Sequence, residues 1–262
     1  MRVSVVIPAY NEAGNIGRLV TEAFGVLPDD ILGEVVVVDD CSDDGTRDEI
    51  RALMAVHPRL RYLRHAHRAG QSAGLRTGIF AASFPLVATM DGDGQNDPAD
   101  IPRLLAHIAP PGGKGPALVG GLRARRRAAG SRRFASTFAN GLRARLLKDD
   151  CPDTGCGIKV YWREAFLRLP YFSSMHRYLP ALFLSYGHEV AYEPVNDRPR
   201  LAGASKYTNF GRALVGIYDL FGVVWLRRRT VVPPIAEDSG APVPLRPATV
   251  PSGKPDMHTA SL

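Results

Sequence analysis

Cysteine is scarce: Cys41, Cys151 and Cys156 are the three in 262 residues, an odd number without repeated spacing. That pattern excludes a disulfide framework and a structural zinc cluster, and a reduced, cytosolic compartment is the expectation. Long apolar runs are missing as well. The longest candidate, residues 214–226, is interrupted by Asp219 and would cover only about 20 Å of a roughly 30 Å hydrocarbon core. The chain is therefore expected to touch a membrane without spanning one. MRVSVVIPAYNE at the start carries a short apolar stretch and no small-residue cleavage signature, so it reads as a first strand, not a signal peptide. Neither a GxxxxGK[ST] loop nor an early GxGxxG is present, which leaves the holding of any nucleotide to a metal and to basic side chains. There is no internal repeat.

The balance of 45% hydrophobic, 23% charged and 8% aromatic residues is that of a globular chain with a sizeable core. Charge is unevenly placed. Residues 1–100 hold 15 acidic against 9 basic side chains, a balance of −6, which leaves +13 to the remaining residues for the overall +7. A cation suits the first part, and phosphates or an anionic membrane surface suit the second.

VSVVI (3–7), EVVVV (34–38) and LVATM (86–90) are β-branched, nearly continuous apolar runs, as strands covered on both faces of a parallel sheet should be. Weaker strands are expected near residues 60–63 and 117–119. Between them Ile16, Leu19, Val20, Ala23 and Phe24 follow helical spacing, as do Ile101, Leu104, Leu105 and Ile108, with shorter helices near residues 50–54 and 70–82. The order βαβαβαβαβ predicts a doubly wound α/β sheet. Residues 122–148 contain eight Arg and one Lys with no acid, and Phe134, Phe138, Leu142 and Leu146 repeat every four residues, as in a basic amphipathic helix. GIKVYW and EVAYEPV read as further strands and residues 210–226 as an apolar helix. Residues 231–262, with 7 Pro, read as a disordered tail.

Three strands end in polar clusters: PAYNE, DDCSDDGT and DGDGQNDP. Ligands of open α/β sheets bind beyond the carboxyl ends of strands, so the three loops can line one crevice. Asp91, Asp93 and Gln95 alternate in a turn loosened by Gly92 and Gly94. Two carboxylates about 4 Å apart repel by up to about 4 kcal/mol at an effective dielectric of about 20, and a hard dication such as Mg²⁺ or Mn²⁺ removes that penalty. In the other two loops Glu12, Asp39 and Asp40 can accept hydrogen bonds from a base and a ribose, with Tyr10 offering a ring. Equally, Asn11 and Glu12 can cap a helix, and the aspartates can begin a turn.

PAYNE, VDDCSDDGT and DGDGQNDP, followed by DTGCGIKVY (153–161), MHRYLP (175–180) and RPRLAGASKY (198–207), resemble glycosyltransferase family 2. More narrowly, residues 1–228 resemble its polyprenyl-phosphate glycosyltransferases, typified by dolichyl-phosphate mannose synthase. The resemblance implies a GT-A fold over residues 1–230, with a nucleotide-sugar half (1–120) and an acceptor and membrane-facing half (121–230). It implies that Pro8, Tyr10, Glu12, Val38 and Asp40 hold the nucleoside of a GDP- or UDP-sugar donor. Asp91, Gly92, Asp93 and Gln95 would form the metal and diphosphate loop. Arg177, Arg198, Arg200 and Lys206 would close over the diphosphate, with Asp91, Asp93, Arg200 and Lys206 acting in catalysis. Arg123, Arg132 and Ser136 would receive the phosphate of a dolichyl or undecaprenyl acceptor. Inversion at the anomeric carbon also comes from the resemblance.

A phosphate monoester has its second pKa near 6, so such an acceptor is already largely ionised and needs cations more than a base. Arginines near an anionic leaflet contribute about 1 kcal/mol each, which fits peripheral attachment on the cytoplasmic face. Bacterial members of the subgroup commonly continue into two membrane helices where this chain has a polar tail. Two alternatives stay open: a family 2 enzyme adding one sugar to a hydroxyl, and an Arg-rich nucleic-acid-binding protein. Asp153 reads equally as an organiser of the acceptor site or a loop cap. His65 and His67 read as surface residues, Trp162 and Trp225 as core or interfacial anchors, and Cys151 and Cys156 as inert.

Overall fold

β1 (Val3–Ala9), β2 (Leu32–Asp39) and β4 (Leu86–Thr89) are buried along their whole lengths, as their continuous apolar runs require. The computed structural model describes residues 1–111, 113–123, 143, 145–199 and 209–232, and of residues 209–215 the backbone alone. Arg132, Ser136, Arg200, Lys206, most of the expected basic helix and almost all of the Pro-rich tail lie outside the described residues. The chain divides into Met1–Val231 and Val232–Leu262, and the fold described is that of the first unit.

With β3 (Leu60–Arg64), β5 (Pro116–Arg123), β6 (Lys159–Trp162) and β7 (Glu189–Val195), the strands form one sheet in the order β3-β2-β1-β4-β6-β5-β7. β1, β2, β3 and β4 pair in parallel, as do β5 and β7, while β6 runs antiparallel between β4 and β5. The expected alternation thus holds in sequence order through β5, but β5 does not lie beside β4. A strand from later in the chain is inserted between them.

The helices are α1 (Ile16–Val26), α2 (Thr46–Met54), α3 (Gln71–Ala81), α4 (Ile101–Leu105), α5 (Arg163–Leu167), α6 (Leu179–Ser185) and α7 (Asn209–Arg229). Strand alternation sorts the core into two layers. Val3, Val5 and Ile7 pack with Ile16, Leu19, Val20, Ile101 and Leu104 in one layer. Val6, Val36 and Val38 pack with Leu75, Ile79, Leu182 and Phe183 in the other. Gly74 and Gly78 share one face of α3: a Cβ on Gly78 would lie 2.4 Å from Val6 Cγ1, and one on Gly74 would lie 3.0 Å from Pro8 Cβ. This close seating carries the start of α3 over the ends of β1 and β2. Beyond those ends, between β1 and β4, is the point where strand order reverses and where ligands of such sheets bind.

At the opposite end, a buried carboxylate ties three strands together. Glu34 of β2 accepts from Ser4 Oγ (2.7 Å), Ser83 N (2.6 Å) and Arg61 Nη1 (2.9 Å). Burial raises its pKa, but these bonds and the Arg61 charge outweigh burial and hold the carboxyl below its ordinary value of 4.5. Glu34→Ala leaves buried donors unpaired and is expected to lower unfolding stability by about 2–4 kcal/mol in urea titrations. A folded-state pKa below the unfolded one gives stability that is complete above pH 4.5 and is lost as pH falls through the folded value. The unsubstituted chain should therefore lose more stability between about pH 5 and 3 than Glu34→Gln does; parallel curves would contradict the assignment.

Candidate active site

The loops after β1 and β2 are stitched to each other. Asn11, in the left-handed region at φ 53°, donates from Nδ2 to Asp43 Oδ1 (2.6 Å), and its Oδ1 accepts from Asp43 N (3.0 Å). Its backbone N–H donates to Ser42 Oγ at 2.9 Å. Asp40 points into the cleft and accepts from Ala69 N (2.8 Å) and Gly70 N (2.7 Å) at the start of α3. His65 corrects its expected surface placement: it is half-buried, with Nδ1 2.7 Å from Asp40 Oδ1 and Nε2 2.9 Å from Thr77 Oγ1. Asp39, one residue earlier, turns to the other side of the strand. It is fully buried and accepts from Ser42 N, Tyr62 Oη and Arg64 Nη1 at 2.5–2.8 Å. Burial pushes its carboxyl up, but those partners outweigh burial and hold it below the usual range.

Asp91 is the centre of the third loop. In the antiparallel register Thr89 faces Lys159, so two residues further on Asp91 comes opposite Gly157. A Cβ on residue 157 would lie 2.3 Å from Asp91 Oδ2, so any larger residue there displaces that carboxylate. Gln71 at the start of α3 donates to Asp91 Oδ1 at 2.7 Å, and Asn96 Oδ1 holds the Asp91 backbone N–H at 2.8 Å. Burial, reinforced by the charge of Asp93, pushes the Asp91 carboxyl up to about 6; Lys159, Arg123 and the Gln71 bond oppose the rise. Asp93 Oδ1 accepts from Gln95 N at 3.1 Å. Asp91 and Asp93, with Gln95 in the same loop, are oxygen-bearing side chains of the kind that suits Mg²⁺ or Mn²⁺.

Cations line the facing wall. Arg123, at the end of β5, makes a two-pronged pair with Asp153 (2.6 and 2.8 Å), and Asp153 Oδ1 also accepts from Gly155 N at 3.2 Å. Asp153 therefore both caps its loop and organises Arg123. Burial raises its pKa, but the Arg123 bonds and charge outweigh burial and keep it below the ordinary carboxylate range. Lys159 of β6 is 5% exposed and lines the cleft. Arg177 lines it from the turn before α6, a turn held to α3 by Ser72 Oγ, 2.8 Å from His176 Nδ1. Burial pushes the Cys156 thiol up to about 11 and also raises Cys151, consistent with inert thiols.

Pro8, Tyr10, Glu12, Asp40, Asp91, Gly92, Asp93, Gln95, Arg123 and Arg177 thus meet around one cleft of about 450 Å³, a volume suited to a small ligand. The guanidinium of Arg68 lies 4.1 Å from the centroid of the Tyr10 ring. Two expected residues are not brought in. The Val38 side chain is fully buried in the layer beneath α3. Arg198 bonds both carboxylate oxygens of Glu22 (2.7 and 2.8 Å), pairs with Asp97 (2.7 Å) and lines a separate groove. Arg132, Ser136, Arg200 and Lys206 are outside the described residues. Gln71, Gly157 and Lys159 went unassigned from sequence; the last two lie inside DTGCGIKVY, but their place depends on the antiparallel insertion of β6.

The model of Glycosyl transferase family 2 matches residues 4–169. The dodecaprenyl-phosphate galacturonate synthase of Rhizobium johnstonii is 31% identical over 87% of this chain and 68% of its own length. The undecaprenyl-phosphate 4-deoxy-4-formamido-L-arabinose transferase of Edwardsiella ictaluri is 31% identical over 78% of this chain and 62% of its own length. The chain thus spans about two thirds of these relatives. Glucosyl-3-phosphoglycerate synthase from Mycobacterium tuberculosis, solved with Mn²⁺, uridine diphosphate and phosphoglyceric acid, superposes with a TM-score of 0.64 at 19% identity, covering 88% of this chain and 80% of that one. The same enzyme was also solved with Mg²⁺ and uridine diphosphate. The chain belongs to glycosyl transferase family 2 and is a glycosyltransferase of GT-A-like α/β fold.

Proposed function

We propose that the protein transfers a sugar, with inversion, from a GDP- or UDP-linked donor to a polyprenyl phosphate at the cytoplasmic face of a membrane. One observation carries this reading: the partly exposed carboxylates of Asp91 and Asp93 share a single cleft with the cations Arg123, Lys159 and Arg177. Two negatively charged reactants can be brought together there. The prenyl-phosphate relatives support the acceptor class.

Glu12, Asp40 and Tyr10 would receive the nucleoside, with Asp40 fixed by two backbone N–H groups and His65. Asp91 and Asp93, with Gln95 beside them, would hold a Mg²⁺ or Mn²⁺ ion whose charge offsets that of the leaving diphosphate. Arg177, and Arg200 and Lys206 beyond the described residues, would close over the same group. Arg123, with Arg132 and Ser136, would hold the acceptor phosphate. One of that phosphate's oxygens forms the new bond to the anomeric carbon as the bond to the diphosphate oxygen breaks. The acceptor needs no base, which leaves Asp153 to hold Arg123.

No helix of the described residues is long and apolar enough to cross a membrane. Peripheral attachment is supported by α7, where Ile217, Tyr218, Phe221 and Trp225 are exposed within one face and Arg228 and Arg229 follow.

Incubating the protein and Mn²⁺ with labelled nucleotide sugars and undecaprenyl phosphate, then extracting lipid, tests the reading. Label from at least one donor should enter the lipid phase; none from any donor would overturn the acceptor assignment. Asp153→Asn loosens Arg123 and is expected to raise KM for the prenyl phosphate about tenfold with a smaller change in kcat. The acid limb of the kcat/KM profile should remain. Abolished turnover in a folded variant would instead mark Asp153 as a base and favour a hydroxyl acceptor.

A further inference from the structure

Lys159 is a buried ammonium that the sequence reading leaves without a role. It sits on β6 between Thr89 of β4 and Gly120 of β5, 5% exposed. Lysine is almost never buried to that degree unless its charge is matched. Its Nζ donates to the Cys156 carbonyl, which satisfies one of three N–H donors. Among the described residues no carboxylate forms an ion pair with it, whereas Arg123, which lines the same cleft, is paired with Asp153. Its side chain lines the cleft floor with Asp91, Cys156 and Gly157. Asp91 feels its charge, but the Asp91 oxygen Oδ1 is taken by Gln71, and Oδ2 faces Gly157.

A desolvated cation with open donors, aimed into a ligand cleft and carrying no direct counter-ion, is stabilised when an anionic oxygen arrives. We infer that Lys159 is a phosphate-binding residue of the reacting complex, its ammonium donating to a phosphate oxygen on the floor of the cleft between the Asp91 loop and Arg123. This rests on the functional reading above and deepens it. Phosphate oxygens come from two sources, the acceptor's monoester and the donor's diphosphate, and binding measurements separate them.

The test is calorimetry on the full chain with two probes: farnesyl phosphate in EDTA, and UDP or GDP with Mn²⁺. Lys159→Met keeps the volume and removes the charge, and Lys159→Gln serves the same purpose with a polar end should the Met variant aggregate. Melting temperature checks that each variant is folded. The expected result is at least about tenfold weaker binding of one probe, about 1.4 kcal/mol, with Lys159→Arg retaining more affinity than either neutral variant. Loss confined to farnesyl phosphate assigns the ammonium to the acceptor, and loss confined to the nucleotide assigns it to the donor; either supports the inference. A folded neutral variant that binds both probes within about twofold of the unsubstituted chain overturns it. If the unsubstituted chain binds neither probe, the functional reading itself fails, and the Lys159 assignment with it.

Discussion

The site depends on holding Asp91 partly desolvated against Gly157 at the cleft. A carboxyl moved from its ordinary 3.8 to about 6 carries a penalty of about 3 kcal/mol on its ionised form. That cost persists because the fold over-determines the position: Gly157 leaves the space, Gln71 supplies one donor, and Asn96 fixes the backbone. The seating of α3 through Gly74 and Gly78 brings Gln71 into reach, and the same helix start offers Ala69 and Gly70 N–H groups to Asp40. One packing choice thus positions both Asp40 and Asp91 at the cleft.

The cations that line the same cleft differ in how firmly they are committed. Arg123 is neutralised in advance by Asp153, which orders its planar fork, whereas Lys159 has no such partner among the described residues. A wall of this kind suits a substrate that arrives already charged. A reading of the Arg-rich segment as a nucleic-acid binder would leave the acidic loops without purpose, and membership of a glycosyltransferase family agrees with the enzymatic alternative.

Much of the fold over residues 1–120 was legible because buried parallel strands announce themselves. VSVVI, EVVVV and LVATM carry no alternation to confuse, and the polar clusters that follow them come together where an open sheet places its ligands. What was hidden depended on contacts between distant residues. Nothing local says that a strand at 159–162 runs antiparallel between β4 and β5, yet that insertion sets Gly157 against Asp91 and Lys159 on the cleft floor. Arg198 has the right type for diphosphate binding, but Glu22 and Asp97, far away in sequence, hold it on another face. Asp39 and Asp40 look equivalent in a string of letters. Strand alternation sends one into a structural network and the other into the cleft. His65 likewise reads as surface until Asp40 and Thr77 are seen on either side of its ring.

The most direct measurement is electron paramagnetic resonance of Mn²⁺ bound to the protein in the presence of UDP or GDP, compared with Asp91→Asn and Gly157→Ala. The account predicts saturable binding with one of these nucleotides, weakened at least about tenfold in both variants while the fold is retained. Binding of equal strength in all three proteins, or none in the unsubstituted chain, would contradict the claim that the Asp91 carboxylate is built to receive a divalent ion.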